Sequence, residues 1–364
     1  MVGNARNQCR IIGKKEGNKL YLMNMKILIA VDPEIPVPPL LYGGVERLVD
    51  GLIKAYLKYN HEVILVAHED SKALCTKMYA WPAKHSRGKM NVLLNTKRLF
   101  SVVSKENPDI IHSFARLLYL FPVMKFKNIP MVMTYGREIS EKTTSLGYKL
   151  AGNKLKFTAC GAHMLKNLQN KEPFVPIHNF TETDYYVPDY NLETEYLFFL
   201  GRIEDIKGTK EAIEVALKTN QKLIIAGNIQ PGHDEYFETE IKPYLSNQLI
   251  EYVGPVNDEQ KLNYLQKASA FLFPIKWEEP FGIVMAEAMA CGVPVIGFRR
   301  GSVPEVVKDE DTGFIVDNVE QMVEAVKKID SIDRRKVRQD CVNRFSLDFI
   351  SNQYLSLFDS MLKG

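Results

Sequence analysis

The chain has 364 residues, of which 46% are hydrophobic and 25% charged, the balance of a globular protein large enough for two hydrophobic cores. No apolar run approaches the ~20 residues of a membrane-spanning helix, and residues 1–25 lack the continuous apolar stretch of a secretory signal. The five cysteines are scattered, odd in number and without metal-ligand spacing, which predicts a cytoplasmic protein and argues against a zinc site or a disulfide framework.

Charge is distributed unevenly along the chain. Residues 1–190 hold 27 Lys and Arg against 16 Asp and Glu, whereas the remainder holds 20 against 28. A basic first half indicates a domain that faces an anionic partner, such as a membrane surface or a lipid phosphate; alternatively, the asymmetry only makes two domains attract each other. The basic residues lack a recognised motif or interleaved aromatic residues, so no nucleic-acid partner is predicted.

Short apolar runs alternate with helical patterns throughout the chain. Strands are predicted at 26–31, 62–67, 109–113, 130–134, 156–160 and 174–177 in the first half, and at 196–201, 222–227, 249–254, 270–274, 294–297 and 314–316 in the second. This alternation is typical of doubly wound parallel sheets. The predicted fold class is therefore α/β, with two Rossmann-like doubly wound domains facing across a cleft.

The same pattern predicts where the domains begin and end. A basic leader without assigned function spans residues 1–25, and the first domain spans 26–180. A hinge rich in Asp, Tyr and Pro follows at 181–194, then the second domain at 195–346 and a C-terminal helix at 347–364. Ligands of such sheets bind beyond the carboxyl ends of the strands, so the cleft between the domains is the predicted site.

Two features of the first domain have more than one interpretation. Gly43 and Gly44, between a Pro-rich loop at 33–42 and a helix at 45–57, allow a ligand to approach the backbone closely or form a plain turn. The basic amphipathic helix at 91–105 lies on an anionic membrane or packs on the core with a solvated face, and we favour the second.

Arg202 and Lys207 follow a predicted strand and precede a helix at 208–218, which Lys207 is expected to open. Two cations at a helix start can clamp a diphosphate and stabilise the charge that develops as it departs. In the alternative interpretation they are surface cations paired with Glu204 and Asp205.

The segment 277–298 places Glu287 inside an otherwise apolar helix and Glu279 just before it. Burial of a lone carboxylate costs several kcal/mol unless it is paired, which favours a ligand-binding role. The two acids are roughly 12 Å apart along a helix, too far for the pair of a retaining glycosidase but suited to two ends of one elongated ligand. The helix N-terminus at residues 281–283 can hold a phosphate. Alternatively, this is a core helix in which Glu287 meets an Arg from elsewhere.

Three blocks of sequence carry a family resemblance. The segment from Glu278 to Ile296 resembles the E-x7-E signature of retaining, nucleotide-sugar-dependent glycosyltransferases of family 4, which have the GT-B fold. The block Phe-Leu-Gly-Arg-Ile-Glu-Asp-Ile-Lys-Gly at 199–208 is similar to the diphosphate clamp of that family. A third block, Gly-Ser-Val-Pro-Glu-Val-Val at 301–307, follows in the expected order. The resemblance covers nearly all of the chain after Met25 and does not specify the acceptor.

The resemblance implies a role for each matching position. Glu279 would contact the transferring sugar and Glu287 the ribose hydroxyls, with Arg202 and Lys207 on the diphosphate. The remaining donor-binding positions are Gly43 and Gly44 near the phosphates, Val256 at the base pocket, and the backbone of Phe281, Gly282 and Ile283 beside the sugar. The C-terminal helix would cross back onto the first domain.

One position departs from the family pattern. Similar enzymes carry Thr-x-His after the strand at 130–134, with the His near the donor sugar, whereas here Gly136 occupies that place. Arg137 or His112 are candidates to compensate, although a structural role for His112 is favoured.

The resulting prediction is a metal-independent retaining glycosyltransferase that moves a sugar from a nucleotide-diphosphate sugar, with UDP preferred, to a hydroxyl acceptor. A lipid-linked or cell-surface glycan intermediate is the expected acceptor class, met at the inner face of the membrane. No resident cofactor is expected. The alternatives are a nucleotide-sugar epimerase of similar fold and a non-enzymatic two-domain binding protein.

Overall fold

The computed structural model describes residues 24–39, 43–137 and 139–363. Nearly all of the predicted basic leader, and residues 40–42 of the Pro-rich loop, lie outside the described residues. The first sheet contains β1 Lys26–Ala30, β2 Glu62–Ala67, β3 Lys77–Ala80, β4 Ile110–Ser113, β5 Met131–Tyr135, β6 Leu155–Ala159 and β7 Phe174–Pro176. The second contains β8 Tyr196–Leu200, β9 Leu223–Ala226, β10 Ile250–Gly254, β11 Ala268–Phe273, β12 Val295–Phe298 and β13 Gly313–Val316.

Every strand pairing in both sheets is parallel. The strand order is β3-β2-β1-β4-β5-β6-β7 in the first sheet and β10-β9-β8-β11-β12-β13 in the second. This confirms the predicted α/β class with two doubly wound sheets. Each of the twelve predicted strands is present, within two residues at either end. Strand β3 was not predicted, because this edge strand has the sequence Lys-Met-Tyr-Ala and half of it is exposed, so it lacks an apolar run.

Helices connect the strands and cover both faces of each sheet. Those that precede the second sheet are α1 Gly44–Lys58, α2 Lys89–Glu106, α3 Phe121–Phe126 and α4 Glu141–Ala151. The helices that lie after β8 in the chain are α5 Thr209–Thr219, α6 Asp234–Tyr236, α7 Asp258–Lys267, α8 Ile283–Ala290, α9 Val303–Val306, α10 Val319–Lys327, α11 Arg334–Phe345 and α12 Leu347–Lys363. We call the first sheet and its helices the first lobe, and the second sheet with α5–α11 the second lobe.

The C-terminal helix α12 belongs to the packing of the first lobe. Its residues Ile350, Tyr354 and Phe358 share a buried cluster with β1 and α1. His112 on β4 lies under this helix and bonds Tyr56 Oη at 3.2 Å and Thr134 Oγ1 at 2.8 Å. Burial lowers the pKa of His112 to about 3, so the ring is neutral at physiological pH. His112 is therefore a structural residue, as favoured from the sequence, and does not compensate for Gly136.

Helix α2 packs on the other face of the first sheet through Leu99, Val102 and Val103, which are buried. The core contact of the favoured interpretation is therefore present. Its first two turns nevertheless expose Met90, Leu93 and Leu94. Among the described residues, none of the helices combines the length and hydropathy that a bilayer span requires.

Candidate active site

Lys207 and Glu279 form a largely buried pair at the carboxyl edge of the second sheet. Lys207 Nζ donates to Glu279 Oε2 at 2.6 Å, and the side chains are only 13% and 15% exposed. The Trp277 indole N–H donates to the same oxygen at 3.1 Å, and Lys207 Nζ lies 5.0 Å from the Trp277 ring centroid. The structure thus brings together two of the predicted site residues.

The backbone between β8 and α5 explains how Lys207 reaches Glu279. Lys207 ends a short 3-10 turn rather than opening the helix, and α5 begins at Thr209. Gly208 has a φ of +78°, and a Cβ there would lie 2.0 Å from the Pro274 carbonyl oxygen. Only glycine therefore allows this close approach of the loops that follow β8 and β11.

Arg202 has a different environment. Its Nε lies 3.2 Å from the carboxylate of buried Glu204, and 36% of its side chain is exposed. The alternative pairing with Glu204 is correct for Arg202. Lys207 pairs with neither Glu204 nor Asp205: it binds Glu279, and Asp205 binds Lys276.

Glu287 lies on α8 with its side chain 9% exposed. Lys261 Nζ on α7 donates to Glu287 Oε1 at 2.8 Å, whereas Oε2 is buried without a hydrogen-bond partner. Burial raises the pKa of Glu287, and Lys261 opposes this effect. The cation beside Glu287 is a Lys rather than the Arg of the alternative interpretation. Sequence reasoning missed Lys261 because Lys and Glu are 26 residues apart and on different helices.

A polar cluster connects Glu287 to the first lobe. Lys261 lies 3.2 Å from Asp258 Oδ1, and the Tyr186 hydroxyl donates to the same oxygen at 3.0 Å. Arg47 on α1 donates to Asp258 Oδ2 at 2.6 Å and so joins the two lobes. Burial raises the pKa of Asp258, but Arg47 and Lys261 outweigh it and lower that pKa to about 2. Asp258 is therefore ionised at any physiological pH.

A cavity of about 170 Å³ lies between the lobes beside this cluster. Its walls come from α1, from residues 180–186 that connect the lobes, from the start of α7 and from α8. Its polar lining includes Arg47, Tyr186, Asp258 and Glu287, and Ile283 contributes apolar surface. The cavity therefore combines two predicted donor-binding residues, Ile283 and Glu287, with others that were not predicted, among them Arg47, Tyr186 and Asp258.

The N-terminus of α8 begins at Ile283, two residues later than the apolar pattern indicated. Gly282, with a φ of +69°, precedes the helix, and Phe281 is buried. Ser302 Oγ donates to the Phe281 carbonyl at 2.7 Å. Gly301 N donates to Glu278 Oε2 at 2.9 Å. The third sequence block therefore holds the loop that carries Glu279.

Glu305, from the same block, holds the first lobe against the second. It accepts hydrogen bonds from the backbone N–H groups of Ala162 and His163 at 2.8 and 2.6 Å, and from the rings of His163 and His178 at 3.0 and 3.3 Å. Burial would raise the pKa of Glu305, but these donors hold it well below its usual range. The sequence pattern showed the block but not this role.

The first lobe presents charged groups at the carboxyl ends of β1, β4 and β5. Asp32 accepts from the Arg116 backbone N–H at 3.2 Å and lies 3.7 Å from Arg137 Nη2. Burial, with Glu34 nearby, raises the pKa of Asp32 to about 6.

A Cβ at Gly136 would meet only Val45, at 3.9 Å, so crowding does not forbid a side chain there. Of Arg137 and His112, the two candidates to compensate for Gly136, Arg137 is the one that lies at the carboxyl edge of the first sheet.

The remaining predicted positions lie in turns. Gly43 precedes α1, and a Cβ there would lie 2.6 Å from Pro39, whereas Gly44 has open space around it. Val256 lies in the turn between β10 and α7, next to Asn257, whose side chain forms a capping box with Gln260. That cap starts α7 and thereby orients Asp258 and Lys261. Neither glycine, nor Val256, lines the cavity described above.

Two parallel doubly wound sheets that face each other across a cleft define the GT-B fold. Residues 42–167 match the model of Glycosyltransferase Family 4, and residues 186–344 match that of Glycosyl transferases group 1. The chain belongs to the family 4 glycosyltransferases, enzymes that transfer sugars.

Relatives and solved structures agree with this assignment. The N-acetyl-alpha-D-glucosaminyl L-malate synthase of Bacillus anthracis is 24% identical, covering 73% of this chain and 78% of the relative. A glycosyltransferase of Rickettsia africae superimposes with a TM-score of 0.78 at 19% identity, over 94% of this chain and 99% of that one. Anabaena Alr3699/HepE, solved in complex with UDP-glucose, gives a TM-score of 0.70 at 16% identity, over 93% and 100%. These structural similarities establish the fold.

Proposed function

We propose that this protein is a retaining glycosyltransferase that moves a sugar from a nucleotide-diphosphate sugar, with UDP preferred, to a hydroxyl acceptor. The observation that carries the proposal is Glu287, a buried carboxylate with one oxygen paired to Lys261 and the other unpaired beside the interlobe cavity. An unpaired buried acceptor is costly unless a ligand supplies a donor. A ribose hydroxyl is such a donor.

The rest of the donor would extend from Glu287 toward Lys207 and Glu279. The ammonium of Lys207 and the guanidinium of Arg202 would bind the diphosphate, and Glu279 would accept from a hydroxyl of the sugar. Both cations are already held by carboxylates, so their positions are set before the ligand arrives. Prearranged charge of this kind stabilises a developing anion without reorganisation. The UDP-glucose complex of HepE, which has the same fold, supports a UDP-sugar as the donor.

In the proposed reaction the bond between the sugar's anomeric carbon and the diphosphate oxygen breaks as the acceptor oxygen bonds to the same face of that carbon. The acceptor proton passes to the departing diphosphate oxygen, so configuration is retained and no enzyme nucleophile is needed. Arg202 and Lys207 would supply the positive charge that a divalent ion provides in other transferases, which makes the reaction metal-independent.

We propose a lipid-linked or cell-surface glycan intermediate as acceptor, met by a cytoplasmic protein at the inner face of the membrane. The basic balance of residues 1–190 supports an anionic partner. The four cysteines within the described part of the chain are free thiols, which suits a reducing compartment.

The donor is identified by thermal shift against UDP-, GDP-, ADP- and dTDP-sugars. A donor at 100 times its Kd adds about 2.7 kcal/mol of stability, and we expect the UDP-sugars to give the shift. Product formation from the matching donor is then followed by NMR with and without EDTA, and the anomeric coupling should match that of the donor. Donor and enzyme alone should give no epimer; an epimer would favour the epimerase.

Arg202→Ala tests the diphosphate clamp. We expect kcat/KM to fall about 100-fold or more, equivalent to ~3 kcal/mol of transition-state stabilisation. Arg335→Ala is a suitable control, because Arg335 lies on α11 over the Tyr190 ring and does not line the interlobe cavity. Near-normal turnover of Arg202→Ala would refute its assignment.

A further inference from the structure

An unusual surface covers the outer side of the first lobe. Helix α2, the segment 117–126 and α4 pack side by side on one face of the first sheet. If these elements only covered the core, their solvent-facing side should be polar. Instead it exposes large aliphatic side chains from all three elements: Met90, Leu93, Leu94, Leu118, Leu146 and Leu150. We call this the outer face of the first lobe.

The apolar residues alternate with cations along each helix. On α4, Leu146 and Leu150 are one turn apart, and Lys142 and Lys149 share their stripe. On α2, Leu93 and Leu94 are followed one turn later by Lys97 and Arg98, which are also exposed. Residues 77–154, the part of the chain that contains all three elements, hold 14 Lys and Arg against 4 Asp and Glu. Two of those acids are occupied, since Glu106 binds Lys77 and Asp109 accepts from the Lys26 backbone.

The second lobe has no such surface. Helices α5, α7, α10 and α11 lie wholly within the described residues, and none of them exposes a large hydrophobic side chain. The exposure on the first lobe is therefore not a general property of helices in this chain. It is a local feature of the kind that marks an interaction surface.

We propose that the outer face of the first lobe docks on the surface of an anionic phospholipid bilayer. Aliphatic side chains can enter the boundary between headgroups and acyl chains while neighbouring lysines extend to the phosphates. A second copy of the chain is a poor occupant, because two such basic faces would repel each other. The charge therefore selects an anionic surface, and the interspersed leucines select one with an accessible apolar layer.

Docking by this face places the cleft near the bilayer. A helix in a doubly wound sheet begins near the carboxyl end of the preceding strand, so Met90, Leu93 and Leu118 are at the cleft side of the face. An acceptor with a lipid anchor would then reach the cleft without leaving the membrane. This consequence rests on the proposed transfer reaction, whereas the docking surface itself does not.

The test uses the full chain and sedimentation with vesicles of phosphatidylcholine alone or mixed with phosphatidylglycerol. We expect binding to the mixed vesicles, and a loss of about tenfold or more in Leu146→Ser/Leu150→Ser. Lys142→Glu/Lys149→Glu should remove the preference for phosphatidylglycerol. The control Phe349→Ser/Leu362→Ser changes two exposed apolar residues of α12, on the other side of the sheet, and should bind as wild type.

Absence of wild-type binding to the anionic vesicles, or unchanged binding of the Leu146→Ser/Leu150→Ser variant, would overturn the proposal. So would analytical ultracentrifugation that shows a dimer dissociated by the same two substitutions without any vesicle binding. Thermal melting checks that each variant is folded. The thermal shift with UDP-sugars is measured on wild type and on every variant. If wild type binds the vesicles but shows no shift with UDP-sugars, the proposed donor is wrong and the proposed docking surface is unaffected.

Discussion

The two lobes bring equivalent sheet edges to the cleft but balance their charges in different ways. On the second lobe three carboxylates beside the cleft have a cation within 3.2 Å; the pairs are Glu204 with Arg202, Glu279 with Lys207 and Glu287 with Lys261. On the first lobe Asp32 is 3.7 Å from Arg137 and close to a second acid, Glu34. The pKa of Asp32 rises to about 6, so the ionised form present at neutral pH lowers the free energy of unfolding.

This difference separates two kinds of site. The second lobe contains cations whose positions are set by carboxylates, which suits a ligand of constant charge such as a diphosphate. The first lobe contains a carboxyl group that titrates close to the physiological range and is only 22% exposed. Such a group responds to what binds beside it. We therefore expect changes on the second lobe to affect donor chemistry, and changes on the first to alter pH dependence.

The largest effect is expected for Lys207→Met. This change removes the ammonium and leaves Glu279 partly buried without its cation, so we expect transfer to fall about 100-fold or more and stability by about 2–3 kcal/mol. Activity and urea denaturation measure the two effects. Lys276→Met is the matched control, because Lys276 also pairs with carboxylates of this region, Asp205 and Glu211, but not with Glu279. Equal losses of transfer in both variants would contradict a specific role for Lys207.

The parts that the sequence predicted well share one physical basis. Buried parallel strands need continuous apolar runs, so all twelve were visible, whereas the half-exposed edge strand β3 was not. Glu287 was singled out because a carboxylate in an apolar segment is anomalous at the level of local sequence, and Glu279 was assigned its role through the family resemblance. Lys261, Asp258 and Tyr186 could not be found in this way. They are ordinary polar residues until the fold places them beside Glu287.

Other contacts were not predicted because the two residues that form them are far apart in the sequence. Asp32 meets Arg137 across 105 positions, and Arg47 meets Asp258 across 211. Such pairs depend on the order of strands and on how the lobes close, neither of which a local pattern contains. The exposed leucines of α4 were missed even though they are close together in the sequence. Their stripe has helical spacing, but only the packed structure shows which side of the helix faces solvent.

A smaller, pH-dependent effect is expected for Asp32→Asn. Because the folded-state pKa is raised to about 6, the unfolded chain releases its proton first as pH rises from about 4, and the wild-type free energy of unfolding falls until about pH 6. The variant avoids this loss. We expect it to gain about 1–2 kcal/mol relative to wild type at pH 8, and little at pH 4.

Urea denaturation of both proteins at pH 4, 5, 6 and 8 measures this difference. The control is Glu320→Gln, an exposed acid of α10 whose pKa is lowered by Lys218 and whose replacement should give no gain at high pH. A difference between Asp32→Asn and wild type that is constant from pH 4 to pH 8 would show that Asp32 is not strained by its surroundings.

The smallest effect is expected where the two lobes meet through Arg47 and Asp258. Both side chains are more than a third exposed, so their 2.6 Å pair should contribute only about 0.2–1 kcal/mol and weaken in high salt. A double-mutant cycle with Arg47→Met and Asp258→Asn, in low and in 1 M salt, isolates this coupling. A larger, salt-insensitive coupling would mean that this pair fixes the lobes before a ligand arrives. The expected small coupling instead means that this pair does not hold the lobes closed. Closure of the cleft then depends on a ligand that contacts both Glu287 and the loops of the first lobe.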